Sequence, residues 1–354
     1  MKIATIIGAR PQFIKASMVS KEISKQNNIK EIIIHTGQHF DKNMSHVFFE
    51  EMGIPEPNYN LNIHSLPHGA MTGRQIEEIE KLLMKENPDW IMAYGDTNST
   101  LAGVLAAVKL HIPIIHIEAG LRSFNRKMPE EINRIICDQI SNLLLCPSET
   151  AVINLNNEGI TVGVHNVGDV MYDASLHFSQ VSENESHILN HLDLEPQKYI
   201  LATIHRAENT NNRNRLENIF SAFSEAPLPI VIPMHPRTKK KLIEFDIPLN
   251  GQVKPIEPVG YLDMIMLEKN AKKIATDSGG IQKEAYFFGV PCITLRDETE
   301  WIELVNCGAN LLVGSSRKKI SEALNTKIKF EVNEIYGDGY SAKKIIKIIK
   351  EQHN

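Results

Sequence analysis

At 354 residues the chain is too long for one ordinary doubly wound domain, and two domains of roughly 150–180 residues are expected. A hydrophobic fraction of 42% and a charged fraction of 23% are those of a globular protein. The net charge of −5 excludes a basic field for nucleic acid or an anionic membrane, and no run approaches the roughly 20 apolar residues of a membrane span.

The start, MKIATIIGARPQF, reaches Gly8 and Arg10 before a signal-like apolar core is complete. Short apolar runs then alternate with longer amphipathic stretches. The runs Ile3–Ile7, Glu31–Thr36, Trp90–Tyr94, Ile112–Ile117, Leu143–Cys146 and Val162–Val167 are expected strands. A second series follows at Tyr199–Thr203, Pro229–Met234, Val253–Ile256, Lys273–Thr276 and Cys292–Leu295. Rich in Ile and Val and without period-two alternation, they read as buried parallel strands. Between them Glu131–Ser141 reads as a helix with Ile132, Ile135, Ile136 and Ile140 on one face and Pro129 in its first turn. Alternating strands and helices imply α/β sheets covered on both sides. The series restarts near residue 170, giving domains 1–168 and 169–336, with a lysine-rich amphipathic helix in 337–354. Cys137, Cys146, Cys292 and Cys307 lack CxxC spacing and read as buried, reduced thiols, so the expected compartment is the cytoplasm.

In open parallel sheets ligands bind beyond the carboxyl ends of the strands, and the unusual residues fall there. Gly8-Ala9-Arg10, Gly37-Gln38-His39, Gly95-Asp96-Thr97 and Glu118-Ala119-Gly120 follow strands of the first half. His205-Arg206, His235-Pro236-Arg237, Asp277-Ser278-Gly279-Gly280 and Arg296-Asp297 follow strands of the second. Such repetition predicts one cleft between two facing domains. The first turn is not G-x-G-x-x-G and no P-loop occurs, so hydride transfer has no support. Arg10 and Lys15 bracket a helix start, which is either surface charge or a phosphate seat. Asp277-Ser278-Gly279-Gly280 is either a structural turn or a second such seat, with Glu284 placed for ribose hydroxyls or for solvent.

The acid–base candidates are Asp96, Glu118, Glu130, Glu131 and His205. Asp96 serves chemistry or caps the following helix. Glu118 ends the apolar strand IPIIHI, where solvent exposure does not explain it. Glu130 and Glu131 lie in a first helical turn, where they complement the dipole, and Glu130 could pair with Arg134. His35, His39, His116 and His235 have no metal-ligand spacing, and no G-x-S-x-G elbow occurs. No metal and no cofactor are expected.

GARPQFIK, HTGQHFDKNMS, YGDTNSTLAG, HIEAGLRS, MPEEINRI, HRAEN, HPRTK, EPVGYLDMI, TDSGGIQKEA and LRDETE, in this order, resemble the non-hydrolysing UDP-N-acetylglucosamine 2-epimerase family. The resemblance runs from Lys2 to about Gly314. It implies two Rossmann-like doubly wound domains facing a central cleft, the glycosyltransferase-B type, with the YGDGYSAKK stretch in a closing helix that returns to the first domain. By position, Arg10 and Lys15 would contact the diphosphate, Ser278, Gly279 and Gly280 would hold phosphate, and Glu284 the ribose. Asp96, Glu118 and Glu130 match catalytic carboxylates, His205 the active-site histidine, and Arg134 a nearby arginine. The resemblance implies UDP elimination to a 2-acetamidoglycal and re-addition, no redox cofactor, a UDP-sugar as partner, and a homodimer.

Two turns depart from the family pattern. Gly8-Ala9-Arg10-Pro11-Gln12 replaces G-T-R-P-E, and Thr299-Glu300-Trp301-Ile302-Glu303 replaces T-E-R-P-E. Both resemble the branch acting on UDP-2,3-diacetamido-2,3-dideoxy-D-glucuronate, whose manno-configured product enters bacterial surface polysaccharide. A second, regulatory UDP-sugar site could use Gln38, Arg206 and His235, although Gln38-His39-Phe40-Asp41 departs from the run found in activator-dependent enzymes.

Overall fold

A computed structural model describes residues 1–38 and 53–353. His39 and the rest of the run through Ser45 therefore lie outside the described residues. The chain divides into two compact units, Met1–Leu176 with Glu334–Asn354, and His177–Asn333. Among the described residues no helix is long and apolar enough to cross a membrane.

The first unit holds strands β1 (Lys2–Ile7), β2 (Lys30–His35), β3 (Tyr59–Asn60), β4 (Trp90–Tyr94), β5 (Ile114–Ile117), β6 (Leu143–Cys146) and β7 (Val164–Asn166). They form one sheet in the order β3-β2-β1-β4-β5-β6-β7, with parallel pairing throughout. Ile3 and Ile6 of β1 and Ile91 of β4 are fully buried, each contributing roughly 1.5–3 kcal/mol of apolar burial. The second unit repeats the pattern with β8 (Ile200–Thr203), β9 (Ile230–Pro233), β10 (Val253–Ile256), β11 (Lys273–Thr276), β12 (Cys292–Thr294) and β13 (Asn310–Leu312). Their order is β10-β9-β8-β11-β12-β13, again parallel. Strand order reverses between β1 and β4 and between β8 and β11. Each reversal opens a crevice at the strand carboxyl ends.

Two edge strands escaped the sequence reading, β3 and β13. They are two and three residues long and contain Asn, so no apolar run marks them. The helix expected over Glu131–Ser141 spans Pro129–Ile140, and its inward face carries polar residues beside the partly buried isoleucines. Its buried residues are Glu131, Asn133, Arg134, Cys137 and Asp138. Ile132 is 39% exposed. The isoleucine face is only partly covered because the polar face is needed for ion pairs at the ends of β4 and β5.

The division between units falls at Leu176/His177, inside the helix Val170–Glu185. Early in that helix Asp173 accepts from Ser341 N at 3.0 Å and Ala342 N at 2.8 Å, capping the closing helix Ser341–His353. Later in it Phe178 packs edge-on against Tyr261, with ring centroids 5.5 Å apart. The helix Val170–Glu185 thus has residues in both units. Ile345, Ile346 and Ile349 of the closing helix are buried in the first unit.

Candidate active site

The polar groups of the first unit gather where β1, β4 and β5 end. The helix Arg10–Ser24 starts at Arg10, so Pro11 is its second residue. Gln12 is 1% exposed, and its side-chain oxygen accepts from Gly8 N at 2.8 Å and Ala9 N at 3.0 Å. Its amide donates to Tyr94 O at 2.8 Å and Thr100 Oγ1 at 3.0 Å. These backbone N–H groups are therefore satisfied from within the fold, and a phosphate seat at this turn cannot rest on them. The glutamine at this position knits β1 to β4.

Lys15, expected beside Arg10 at a phosphate seat, is buried and donates to Glu118 Oε1 at 2.6 Å. Glu118 adopts φ of +71°, a left-handed conformation rare outside glycine and characteristic of functional turns. The pair exists because Gly95 leaves room. A Cβ there would lie 3.3 Å from Glu118 Oε1 and 3.4 Å from Lys15 Nζ, and Gly95 itself has φ of +62°.

Asp96 does not cap the next helix. Thr97 does, accepting from Thr100 N, and the helix begins at Asn98. Asp96 Oδ2 instead accepts from Arg134 Nη2 at 2.6 Å. Arg134 Nη1 donates to Glu131 Oε2 at 2.9 Å, so Arg134 pairs with Asp96 and Glu131 and not with Glu130. Glu131 also accepts from Ser123 N, Ser123 Oγ and Phe124 N. Burial pushes its pKa up, but the bonds from Ser123, Arg134 and Phe124 together hold it below the usual carboxylate value. Glu130 is half-buried and makes no hydrogen bond or ion pair among the described residues. Of the two neighbouring glutamates, Glu131 anchors the loop and Glu130 stays available.

His116 joins these turns. It is fully buried, with Nδ1 2.7 Å from Asp138 Oδ1 and Nε2 2.7 Å from Gly95 O. Asp138 Oδ2 accepts from Gly120 N at 3.1 Å and Arg122 Nη1 at 2.7 Å. Arg122 also grips Glu158 with two bonds of 2.7 Å. Burial disfavours the charged ring, yet Asp138 and the Gly95 carbonyl outweigh it and raise the His116 pKa. Burial likewise opposes the Asp138 charge, while His116 and Arg122 bring its pKa below the ordinary value. The sequence reading weighed His116 only as a metal ligand. The clue to more was an ionisable residue inside the apolar run IPIIHI.

In the second unit the polar groups gather where β8, β9 and β11 end. Asp277 is fully buried and does not face outward as part of an anion turn. Its oxygens accept from His205 N at 3.1 and 3.2 Å, Arg206 N at 3.1 Å and Asn209 Nδ2 at 3.1 Å. Oδ1 also lies 3.4 Å from His205 Nδ1, so Asp277 orients a histidine whose side chain is 41% exposed. The His205 and His235 rings lie 5.7 Å apart. His235 Nδ1 accepts from Arg237 N at 3.2 Å, and burial, His205 and Arg237 lower its pKa.

Ser278 caps the helix Gly279–Phe287, its Oγ accepting from Ile281 N. The first N–H groups of that helix, at Gly279 and Gly280, have no acceptor within the helix and suit an anion. A Cβ at Gly279 would come within 2.6 Å of Glu300 Oε1, whose other oxygen sits 2.8 Å from Arg296 Nη1. Glu284 is 5% exposed and accepts from Tyr261 OH at 3.1 Å, so it is not the solvent-facing residue of the bland reading. Trp301 is also buried, with Lys283 Nζ 4.1 Å above its ring. Gln38, considered for a second sugar site, accepts from Ser99 N at 3.1 Å and Ser99 Oγ at 2.8 Å.

Two α/β domains wound in one order, with polar turns at their strand carboxyl ends, define the glycosyltransferase-B type of enzyme fold. The family model described as UDP-N-acetylglucosamine 2-epimerase matches residues 21–350. The chain is 55% identical over 360 residues, 99% of each chain, to a UDP-N-acetylglucosamine 2-epimerase homolog of Methanococcus maripaludis. It is 53% identical over 355 residues, 98% of each chain, to UDP-2,3-diacetamido-2,3-dideoxy-D-glucuronate 2-epimerase of Pseudomonas aeruginosa. The structure of Methanocaldococcus jannaschii UDP-GlcNAc 2-epimerase in complex with UDP-GlcNAc and UDP matches with a TM-score of 0.92 at 46% identity, covering 99% of this chain and 100% of that one. The chain belongs to the UDP-N-acetylglucosamine 2-epimerase family, and is an isomerase.

Proposed function

We propose that the protein is a non-hydrolysing UDP-sugar 2-epimerase whose substrate is UDP-2,3-diacetamido-2,3-dideoxy-D-glucuronate. The observation that carries the reaction is the buried Glu118, left-handed and held 2.6 Å from Lys15 beside the Asp96–Arg134 pair. Asp96, Glu118 and Glu130 supply the proton-transfer groups, with His205. A carboxylate takes the proton from C2, the C–H electron pair forms the C1=C2 bond, and the C1–O bond breaks to release UDP and a 2-acetamidoglycal. UDP then re-adds at C1 while a second group delivers a proton to the other face of C2. Ser278, Gly279 and Gly280 stabilise the departing diphosphate through main-chain donors, aided by Arg10, Arg134 and His235, and Glu284 takes the ribose. The acetamido-uronate reading is supported by the 53% identity to the Pseudomonas aeruginosa enzyme and by the resemblance of the Gln12 and Trp301 turns to that branch. Gln12 and Trp301 are both buried, so any influence on the sugar passes through the packing of their turns.

UDP-N-acetylglucosamine is the second reading, favoured by 46% identity over 99% of the chain to the Methanocaldococcus jannaschii UDP-N-acetylglucosamine 2-epimerase. Incubation of each UDP-sugar in deuterated water separates them. Deuterium at C2 with the nucleotide retained, and faster turnover of the uronate, is expected. Release of free sugar would defeat the non-hydrolysing reading, and preference for UDP-N-acetylglucosamine would transfer the substrate to the second.

A further inference from the structure

His116 is a fully buried ionisable group at the ends of β4 and β5 that the reaction above does not use. Its protonation follows from its neighbours. A carbonyl oxygen only accepts, so Nε2, 2.7 Å from Gly95 O, carries a proton. Asp138 takes Gly120 N and the Arg122 guanidinium on its other oxygen and is ionised, so Nδ1 donates to it as well. With both nitrogens donating, the ring is an imidazolium. A neutral ring could satisfy only one of the two acceptors and would turn a lone pair on the other.

The charged neighbours balance. Asp138 reaches the ring from the helix Pro129–Ile140, and Arg122 and Glu158 close the far side of Asp138. Glu118 lies two residues along β5 and is itself paired with Lys15. Both ring protons are engaged with protein acceptors and no ring surface is exposed, so His116 cannot hand a proton to a sugar.

What it can do is hold geometry. Gly95, Glu118 and Gly120 have φ of +62°, +71° and +82°, three left-handed residues at the ends of two adjacent strands. Glycine adopts that conformation at little cost, but at Glu118 it persists only where surrounding bonds over-determine it. His116 fixes the carbonyl of Gly95, the residue before Asp96, while its partner Asp138 fixes the N–H of Gly120, two residues after Glu118. We propose that His116 is a positioning residue, a fixed imidazolium that ties the Asp96 turn to the Glu118 turn and sets the spacing of the two proton-transfer carboxylates. This rests on the reading in which Asp96 and Glu118 handle the C2 proton.

The test compares His116→Gln, whose amide can serve Gly95 O but not both acceptors, with the unaltered enzyme. Turnover is expected to fall about a hundredfold, the loss typical of misplacing reacting groups by about 1 Å. KM for the UDP-sugar should change less than about threefold, since the anion-binding turn of the second unit is untouched. Unimpaired turnover in a folded His116→Gln variant overturns the proposal, and so does a loss confined to KM. ¹⁵N-histidine NMR of the unaltered enzyme tests it without any variant. The His116 ring should keep an imidazolium signature above the ordinary histidine midpoint of about 6.5, where an unperturbed ring is neutral, and a neutral ring there overturns the proposal. Failure of the unaltered enzyme to take up deuterium at C2 overturns the proton-transfer reading and this proposal together. Exchange by the unaltered enzyme and equal exchange by His116→Gln overturns this proposal alone.

Discussion

The two units share a strand order but equip their crevices differently. In the first, charged side chains clamp one another: Lys15 with Glu118, Arg134 with Asp96 and Glu131, His116 and Arg122 with Asp138. In the second, one buried carboxylate, Asp277, gathers backbone N–H groups, and a serine cap with two glycines opens a helix. In the proposed function the contrast follows from what each unit would hold. Proton transfer needs side chains with set charge and position, and those require counter-charges in a buried setting. A diphosphate needs many donors at close range, and main chain beside glycine supplies them without bulk.

That comparison can be broken at several points. The largest effect is expected from Glu118→Gln, which removes a proton-transfer group and should lower kcat by about 10²–10⁴-fold with KM little changed. Stopped deuterium exchange at C2 checks it, and a variant losing only affinity would erase the division of labour. Asp277→Ala should act the opposite way. It frees the N–H groups of His205 and Arg206 and should raise the Kd for UDP by about tenfold or more, because a buried acceptor of several bonds is lost. Calorimetry with UDP alone reads this without turnover.

Gln12→Ala, which strands Gly8 N and Ala9 N, should cost roughly 1–3 kcal/mol in a denaturant melt. A silent Gln12→Ala would mean that this turn is not held from within. Ser278→Ala should cost about 1 kcal/mol, the usual value of a helix cap.

The smallest effect is on pH dependence. The His116 pKa is raised by folding, so its stabilisation is complete below the ordinary value of 6.5 and fades as pH rises through the folded value. The Asp138 pKa is lowered, so its share is present above 3.8 and fades as pH falls through the folded value. The protection of β5 amides, corrected for their intrinsic exchange rates, should therefore be greatest between those limits and fall on both sides. A β5 profile that follows β11 at every pH would show that the charged network adds nothing to the first unit.

Much of the scaffold was legible. Trp90–Tyr94, Leu143–Cys146 and Lys273–Thr276 were read at their observed bounds because a strand covered on both faces is a nearly continuous apolar run, and the partly buried edge strand Val253–Ile256 was read at its bounds too. The clusters at strand ends were legible for the same reason, since polar residues interrupting that pattern have to be explained. The inward face of the helix Pro129–Ile140 was read only in part. Four isoleucines outweigh Glu131, Arg134 and Asp138 in any count of apolar periodicity, yet the buried ion pairs turn inward beside them.

The sequence alone therefore determined where most of the strands lie and that there are two α/β halves. These are local consequences of residue type and period. Partner choice was decided only in three dimensions. Lys15 meets Glu118 across 103 positions and Asp277 meets His205 across 72, and nothing local distinguishes those partners from the other charges nearby in the chain. The tertiary fold selects them because a buried charge is tolerated only where an opposite charge or a donor arrives with it.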